Sequence, residues 1–163
     1  MDTSPPRGQT RSMTTPDGRA SSGLTRTIPA LPVGDVPAAS AFYRERLGFA
    51  AVHEEPGFAV LVRDDAVVHL WEATDEDWRT RRDLSARPVR SGAESFLAGT
   101  ASCRIEAADV DALWEELDGA GVLHPTARGG VSATDFGTRE VHALDRDGNL
   151  LTFFHRTGGP AVG

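Results

Sequence analysis

The sequence predicts an α+β protein made of two tandem βαβββ units whose strands form a curled, cleft-enclosing mixed sheet. Three observations predict it. Apolar spacing switches from strand-like to helix-like and back, twice, between residues 26 and 156. Asp35-Val36 matches Asp109-Val110 at an offset of 74. VRDDAVVHLW (Val62 to Trp71) matches DRDGNLLTFF (Asp145 to Phe154) at an offset of 83, and the nine extra residues fit a longer loop around ARGGVSATDFG. An unduplicated α+β domain is the competing reading.

Taken in order, residues 1–24 are Ser, Thr, Pro, Gly and Arg with almost nothing to bury, which predicts a disordered tail. A single domain over 25–163 follows. Its first unit spans 25–73. RTIPALPV (26–33) reads as a strand, with Pro29 marking an edge or an arm that leaves its own sheet. Asp35 is an N-cap, Pro37 sits in the first turn, Phe42, Tyr43 and Leu47 fall at helical spacing, and Gly48 closes the helix. Three strands follow, FAAVHE, GFAVLVR and AVVHLWE, with turns at Pro56-Gly57 and Asp64-Asp65. Residues 74–99 connect the halves, with RTRRD as a solvated helix face and Trp78 as a local packing anchor.

The second unit, 100–156, repeats the order. ASCRIEAADV supplies a strand and the N-cap Asp109, and DALWEELDGAGV a helix with Leu113, Trp114 and Leu117 inward. Strands are expected around Val122, from Arg139 to Leu144 and from Leu150 to His155.

Composition narrows the function classes. The basic residues are seventeen Arg with no Lys, and the formal net charge is −7. The first 24 residues carry +1 and the remainder −8. An acidic body repels phosphate, which argues against nucleic acid and suits a cationic ligand, although surplus carboxylates also serve solubility alone. Cys103 is the only cysteine, so no intramolecular disulfide forms. No apolar run approaches the roughly 20 residues that cross a bilayer, and the first residues lack a signal peptide's apolar centre. The expectation is a soluble cytoplasmic protein without a membrane partner. No nucleophile elbow, phosphate-cradling glycine loop or cysteine metal cluster is present in the sequence.

Registering the two halves pairs His69 with Thr152 in the last strand of each unit, and Ile28 with Ser102 in the first. If the sheets curl around a shared cleft, these four positions converge there. Trp71 and Phe154, two residues further on, share the same cleft face as ligand walls or as its apolar floor.

The strand, cap and helix of LPVGDVPAASAFYRERLGF, the hairpin VRDDAVVHLWE and the closing DRDGNLLTFF together resemble the vicinal-oxygen-chelate superfamily of glyoxalases, extradiol dioxygenases and bleomycin-resistance proteins. The resemblance covers about residues 26 to 156. In the metal enzymes of that superfamily the four cleft positions supply His, Gln or Glu to a divalent ion. Here they are Ile28, His69, Ser102 and Thr152, and only His69 is a good ligand, whereas catalytic sites need about three protein ligands. The sequence therefore predicts neither metal nor other cofactor.

Among metal-free members the chain is most similar to bleomycin-resistance proteins. TIPALPVGDV resembles the arm that crosses to the partner subunit, which implies a homodimer with arm exchange around Pro29. GFAVLVRDD and DFGTREVHALDRDGN resemble the segments whose aromatics hold drug, which here are Phe58 and Phe136. The implied ligand is a small-molecule antibiotic, cationic and with a flat aromatic part, held at Phe58, Phe136, His69, Trp71, Thr152, Phe154 and Glu55 without catalysis. Each of these also has a plain structural role open to it: Phe58 and Phe136 as core, Glu55 as a solvated carboxylate. Two other classes stay open, an enzyme using His69 as acid or base, and a regulator using only its dimer surface.

Overall fold

The computed structural model describes residues 25–74, 80, 82, 83, 86 and 97–158. The expectations for the tail and for most of 74–99, Trp78 included, lie outside the described residues. The elements run β1 (Ala30–Val33), α1 (Val36–Leu47), β2 (Ala50–Glu55), β3 (Phe58–Arg63) and β4 (Ala66–Glu72), then β5 (Ser102–Glu106), α2 (Val110–Ala120), β6 (Ser132–Ala133), β7 (Thr138–Leu144) and β8 (Leu150–Arg156). Each half is one βαβββ unit forming its own four-stranded mixed sheet, in the order β1-β4-β3-β2 and β5-β8-β7-β6. No ladder joins the two sheets among the described residues, so they do not close.

The helices start and stop where local chemistry requires. Asp35 stays extended and accepts from Ala38 N at 2.8 Å, and Gly48 ends α1 at φ 67. Asp109 accepts from Asp111 N and Ala112 N, both at 3.0 Å, and Gly121 ends α2 at φ 71. Each Asp satisfies N–H groups that no helical carbonyl reaches, and each glycine enters the left-handed region without steric cost.

The duplication is visible in the strand pairing. In the first half Ala30 lies opposite His69, Leu31 opposite Leu70 and Pro32 opposite Trp71. In the second, Arg104 lies opposite Thr152, Ile105 opposite Phe153 and Glu106 opposite Phe154. The same offsets of 74 and 83 carry one set onto the other. The residues beside His69 and Thr152 are thus Ala30 and Arg104, not Ile28 and Ser102. Ile28 falls before β1, which begins only after Pro29, whose ring removes an N–H from the ladder, and Ser102 is the first residue of β5.

One further expectation needs correcting. The segment around Val122 forms no strand: Leu123 makes an isolated bridge to Ala143, and Pro125 opens a short 3-10 turn, Pro125–Ala127. The outer strand of this sheet is instead the two-residue β6.

In each half one sheet face packs on its helix. Ala59, Leu61, Val68 and Leu70 are fully buried beside α1, and Val141, Ala143, Leu151 and Phe153 line the equivalent layer. The halves meet mainly through α1 and α2 and through a polar knot at the turn before β8. The Tyr43 hydroxyl donates to Asp145 Oδ2 at 3.2 Å, Gly34 N to Asp147 Oδ1 at 2.9 Å, and Asn149 Nδ2 to Pro32 O at 2.8 Å. Burial pushes the Tyr43 hydroxyl well above its ordinary pKa, and the Asp145 carboxylate beside it adds to the shift. Gly99 lies against this knot at φ 75, where a Cβ would sit 2.0 Å from Asp147 O. Gly99→Ala is therefore expected to cost at least about 2 kcal/mol in urea unfolding, from left-handed strain plus a backbone clash.

Candidate functional site

The faces turned away from the helices differ sharply between the halves. On the first sheet, strand register sets out two rows. One reads Glu55, Phe58, Trp71, Pro32 and the next His53, Val60, His69, Ala30. Alternation along β3 and β4 sends Leu61 and Leu70 to α1 and leaves Phe58, Val60, His69 and Trp71 half-buried on the open side. Four rings meet there. Phe58 packs on Trp71 with centroids 4.7 Å apart, edge-on to His69 at 5.1 Å, and tilted against His53 at 5.8 Å. Burial pushes the His69 imidazole below its ordinary pKa, which keeps it neutral at pH 7.

On the second sheet the equivalent rows are Glu140, Phe154, Glu106 and His142, Thr152, Arg104. Here charge replaces aromatic rings. Arg104 forks onto Glu140, with Nη2 to Oε1 at 2.5 Å, and its guanidinium lies 4.8 Å from the Phe154 ring centroid; Arg156 lies 5.6 Å from the same ring. Thr152 is buried and its hydroxyl bonds His142 Nδ1 at 3.0 Å. Thr152 is thus polar among apolar neighbours because it alternates with Leu151 and Phe153 and faces away from α2, toward an imidazole.

Burial raises the Glu140 pKa, but the hydrogen bonds from Arg104 and Thr138 and the guanidinium charge outweigh it, so the carboxyl ends below its ordinary value. A depressed folded-state pKa contributes stability above the unfolded value and loses it as pH falls through the folded one. Glu140→Gln should therefore unfold at a temperature that declines less than that of the parent chain between pH 6 and pH 3, measured by thermal melts across that range.

The structure brings Glu55, Phe58, His69 and Trp71 together on one face, and Thr152 and Phe154 together on the other. It does not bring the two sets together within one chain. Nor does it gather the four positions expected to converge: Ile28 precedes β1 and is 42% exposed, and Ser102 is exposed at the start of β5. Phe136 stands in the loop after β6, 67% exposed. The sequence reading missed His53, although its place beside Val60 in the pairing is what puts it against Phe58.

These donors do not fit the divalent ion used by metal enzymes of this fold. The rows hold Ala30 with His69 and Arg104 with Thr152, and a guanidinium repels a cation; no group of three His, Cys, Asp or Glu side chains suited to a metal occurs among the described residues. A cleft of about 480 Å3 lies elsewhere, between the halves on their helix side, walled by Phe49, Arg63, Leu113, Glu116 and Phe153. None of the sequence-predicted ligand residues lines it, and Arg63 within it is already forked onto Glu116 at 2.8 and 2.7 Å.

Comparison with known proteins gives the family and the fold. The chain is 47% identical over 135 residues to a bleomycin resistance protein of Geobacillus stearothermophilus, covering 82% of this chain and 98% of that one. Its structure is similar to that of a bleomycin-binding protein from Streptomyces verticillus complexed with copper(II)-bleomycin, at 26% identity and TM-score 0.60, covering 85% and 100% of the chains. At 22% identity and TM-score 0.57, covering 82% and 99%, another bleomycin-binding protein complexed with bleomycin shares the fold. The family model described as the Glyoxalase/Bleomycin resistance protein/Dioxygenase superfamily matches residues 25–153, and the chain belongs to that superfamily.

Proposed function

We propose that this protein binds an antibiotic of the bleomycin type and protects by holding it, without chemistry. The observation that carries the reading is the half-exposed cluster of Phe58, Trp71 and His69 on a sheet face that no helix among the described residues covers. Flat rings stack on such surfaces with roughly 0.5 to 1.5 kcal/mol beyond the area they bury. The 47% identity with a bleomycin resistance protein supports the ligand class. Glu55, in the row of Phe58, supplies a carboxylate for the drug's cationic part.

The full site is proposed to need two copies. The aromatic face of one chain, opposed to the charged face of another, would place Thr152 and Phe154 across the ligand from Phe58 and Trp71. Residues 25–28, exposed and ahead of Pro29 and β1, are the arm proposed to reach the partner, with Phe136 as a further contact. Cytoplasmic location belongs to the same reading.

An acid-base role for His69 lacks support in the geometry. Its ring packs edge-on to Phe58, and no carboxylate or carbonyl among the described residues orients it. Titrating the protein with metal-free and copper-loaded bleomycin while following Trp fluorescence tests the reading. Saturable quenching at micromolar drug is expected; a flat signal with both forms would remove this ligand.

A further inference from the structure

We propose that His53 is a specificity-determining contact of this site, joining its aromatic surface to its carboxylate so that ligands carrying a cation beside a flat ring are preferred. The inference rests on the drug-binding reading above. His53 touches both parts: its ring centroid lies 5.8 Å from that of Phe58, and its Nε2 lies 4.0 Å from Glu55 Oε1. That second separation is too long for a hydrogen bond, so the Glu55 oxygen stays open to a ligand's N–H or N–CH group. The imidazole is 54% exposed and Glu55 59%, so both are accessible on the face where Phe58 is presented.

Two features of the sheet make this placement more than chance exposure. The β2 to β3 register shifts between Ala51 and His53, and a bulge of this kind re-aims the side chains that follow it. The shift sets His53 beside Val60 and Glu55 beside Phe58, in the same two rows as His69 and Trp71. Phe58 is thereby bracketed by imidazoles from both neighbouring strands, His53 on β2 and His69 on β4. An imidazole adds a ring surface for stacking and ring nitrogens for polar contacts beside the Glu55 carboxylate.

The test compares intact bleomycin with its tail-less acid, from which the cationic tail has been removed, on the parent chain, His53→Ala, His53→Phe, His53→Arg and Phe58→Ala. His53→Ala should weaken both ligands by about three- to tenfold, the range expected for one lost aromatic contact. His53→Phe should recover most of that loss for the tail-less acid and less for the intact drug. In His53→Arg a fixed positive charge next to Glu55 should cost the intact drug about tenfold more than the acid. Circular dichroism is expected to show each variant folded, because residue 53 is outside the core. If Phe58→Ala weakens binding while His53→Ala and His53→Arg bind as the parent does, the role assigned to His53 is overturned. If the parent chain itself binds neither ligand, the drug-binding reading fails first and the role of His53 with it.

Discussion

Phe58→Ala is expected to weaken bleomycin binding by about thirtyfold, close to 2 kcal/mol, while leaving the protein folded. Phe58 makes three of the ring contacts on the open face, to Trp71 in its own row and to His69 and His53 in the next. Removing it takes away a stacking surface and also the support that holds the other three rings. The residue is half-buried at the start of β3 and outside the buried core, so its truncation opens no internal cavity. A calorimetric titration alongside a urea melt separates the two effects. A loss of affinity with unchanged unfolding midpoint is expected, and a binding curve matching the parent would show that the drug sits elsewhere.

Asn149→Ala is expected to cost about 4 kcal/mol in folding stability, the largest effect of any single substitution considered. Asn149 is fully buried. Its Nδ2 donates to Pro32 O and to Asp145 Oδ2, both at 2.8 Å, and its Oδ1 accepts from Ala101 N at 3.1 Å. Alanine leaves Ala101 N without its partner and takes one of two hydrogen bonds from each of Pro32 O and Asp145 Oδ2, which keep Gly99 N and the Tyr43 hydroxyl, at about 1 to 3 kcal/mol for each buried group affected, partly relieved by entering water. Burial already raises the Asp145 pKa against the hydrogen bonds of Asn149 and Tyr43 that lower it, so losing the Asn149 amide removes one of the groups stabilising a buried charge. Urea unfolding at neutral pH measures the loss; a change under about 1 kcal/mol would mean that the knot between the halves contributes little.

The parts of this fold legible in the sequence are those fixed by neighbours in the chain. Asp35 with Gly48, and Asp109 with Gly121, mark helix ends because capping involves residues within one turn. The offsets of 74 and 83 held because the duplicated strands keep their pairing register. Legibility failed where position depends on a distant partner. The segment at Val122 is apolar enough for a strand, but Pro125 and the single bridge to Ala143 leave the outer place to β6. Phe136 carries an aromatic in a loop, and nothing local reports that it projects 67% exposed rather than packing.

The site shows the same division. Alternation in GFAVLVR and AVVHLWE places Phe58, His69 and Trp71 on one face. In AAVHEE the bulge between Ala51 and His53 breaks simple alternation, and a bulge has no signal in a single strand read without its partner. Arg104 beside Thr152 was hidden because the offset of 74 aligns the two first strands with each other but does not say which of their residues lies opposite Thr152. The charged character of the second face therefore emerged only from the pairing.

The account turns on binding without chemistry at the aromatic face. The most direct measurement is a calorimetric titration of the protein with bleomycin, followed by mass spectrometry of the drug released on denaturing the complex. Saturable heat at micromolar drug and recovery of the antibiotic at its original mass are expected. Absence of binding, or recovery of a drug with altered mass, would contradict it.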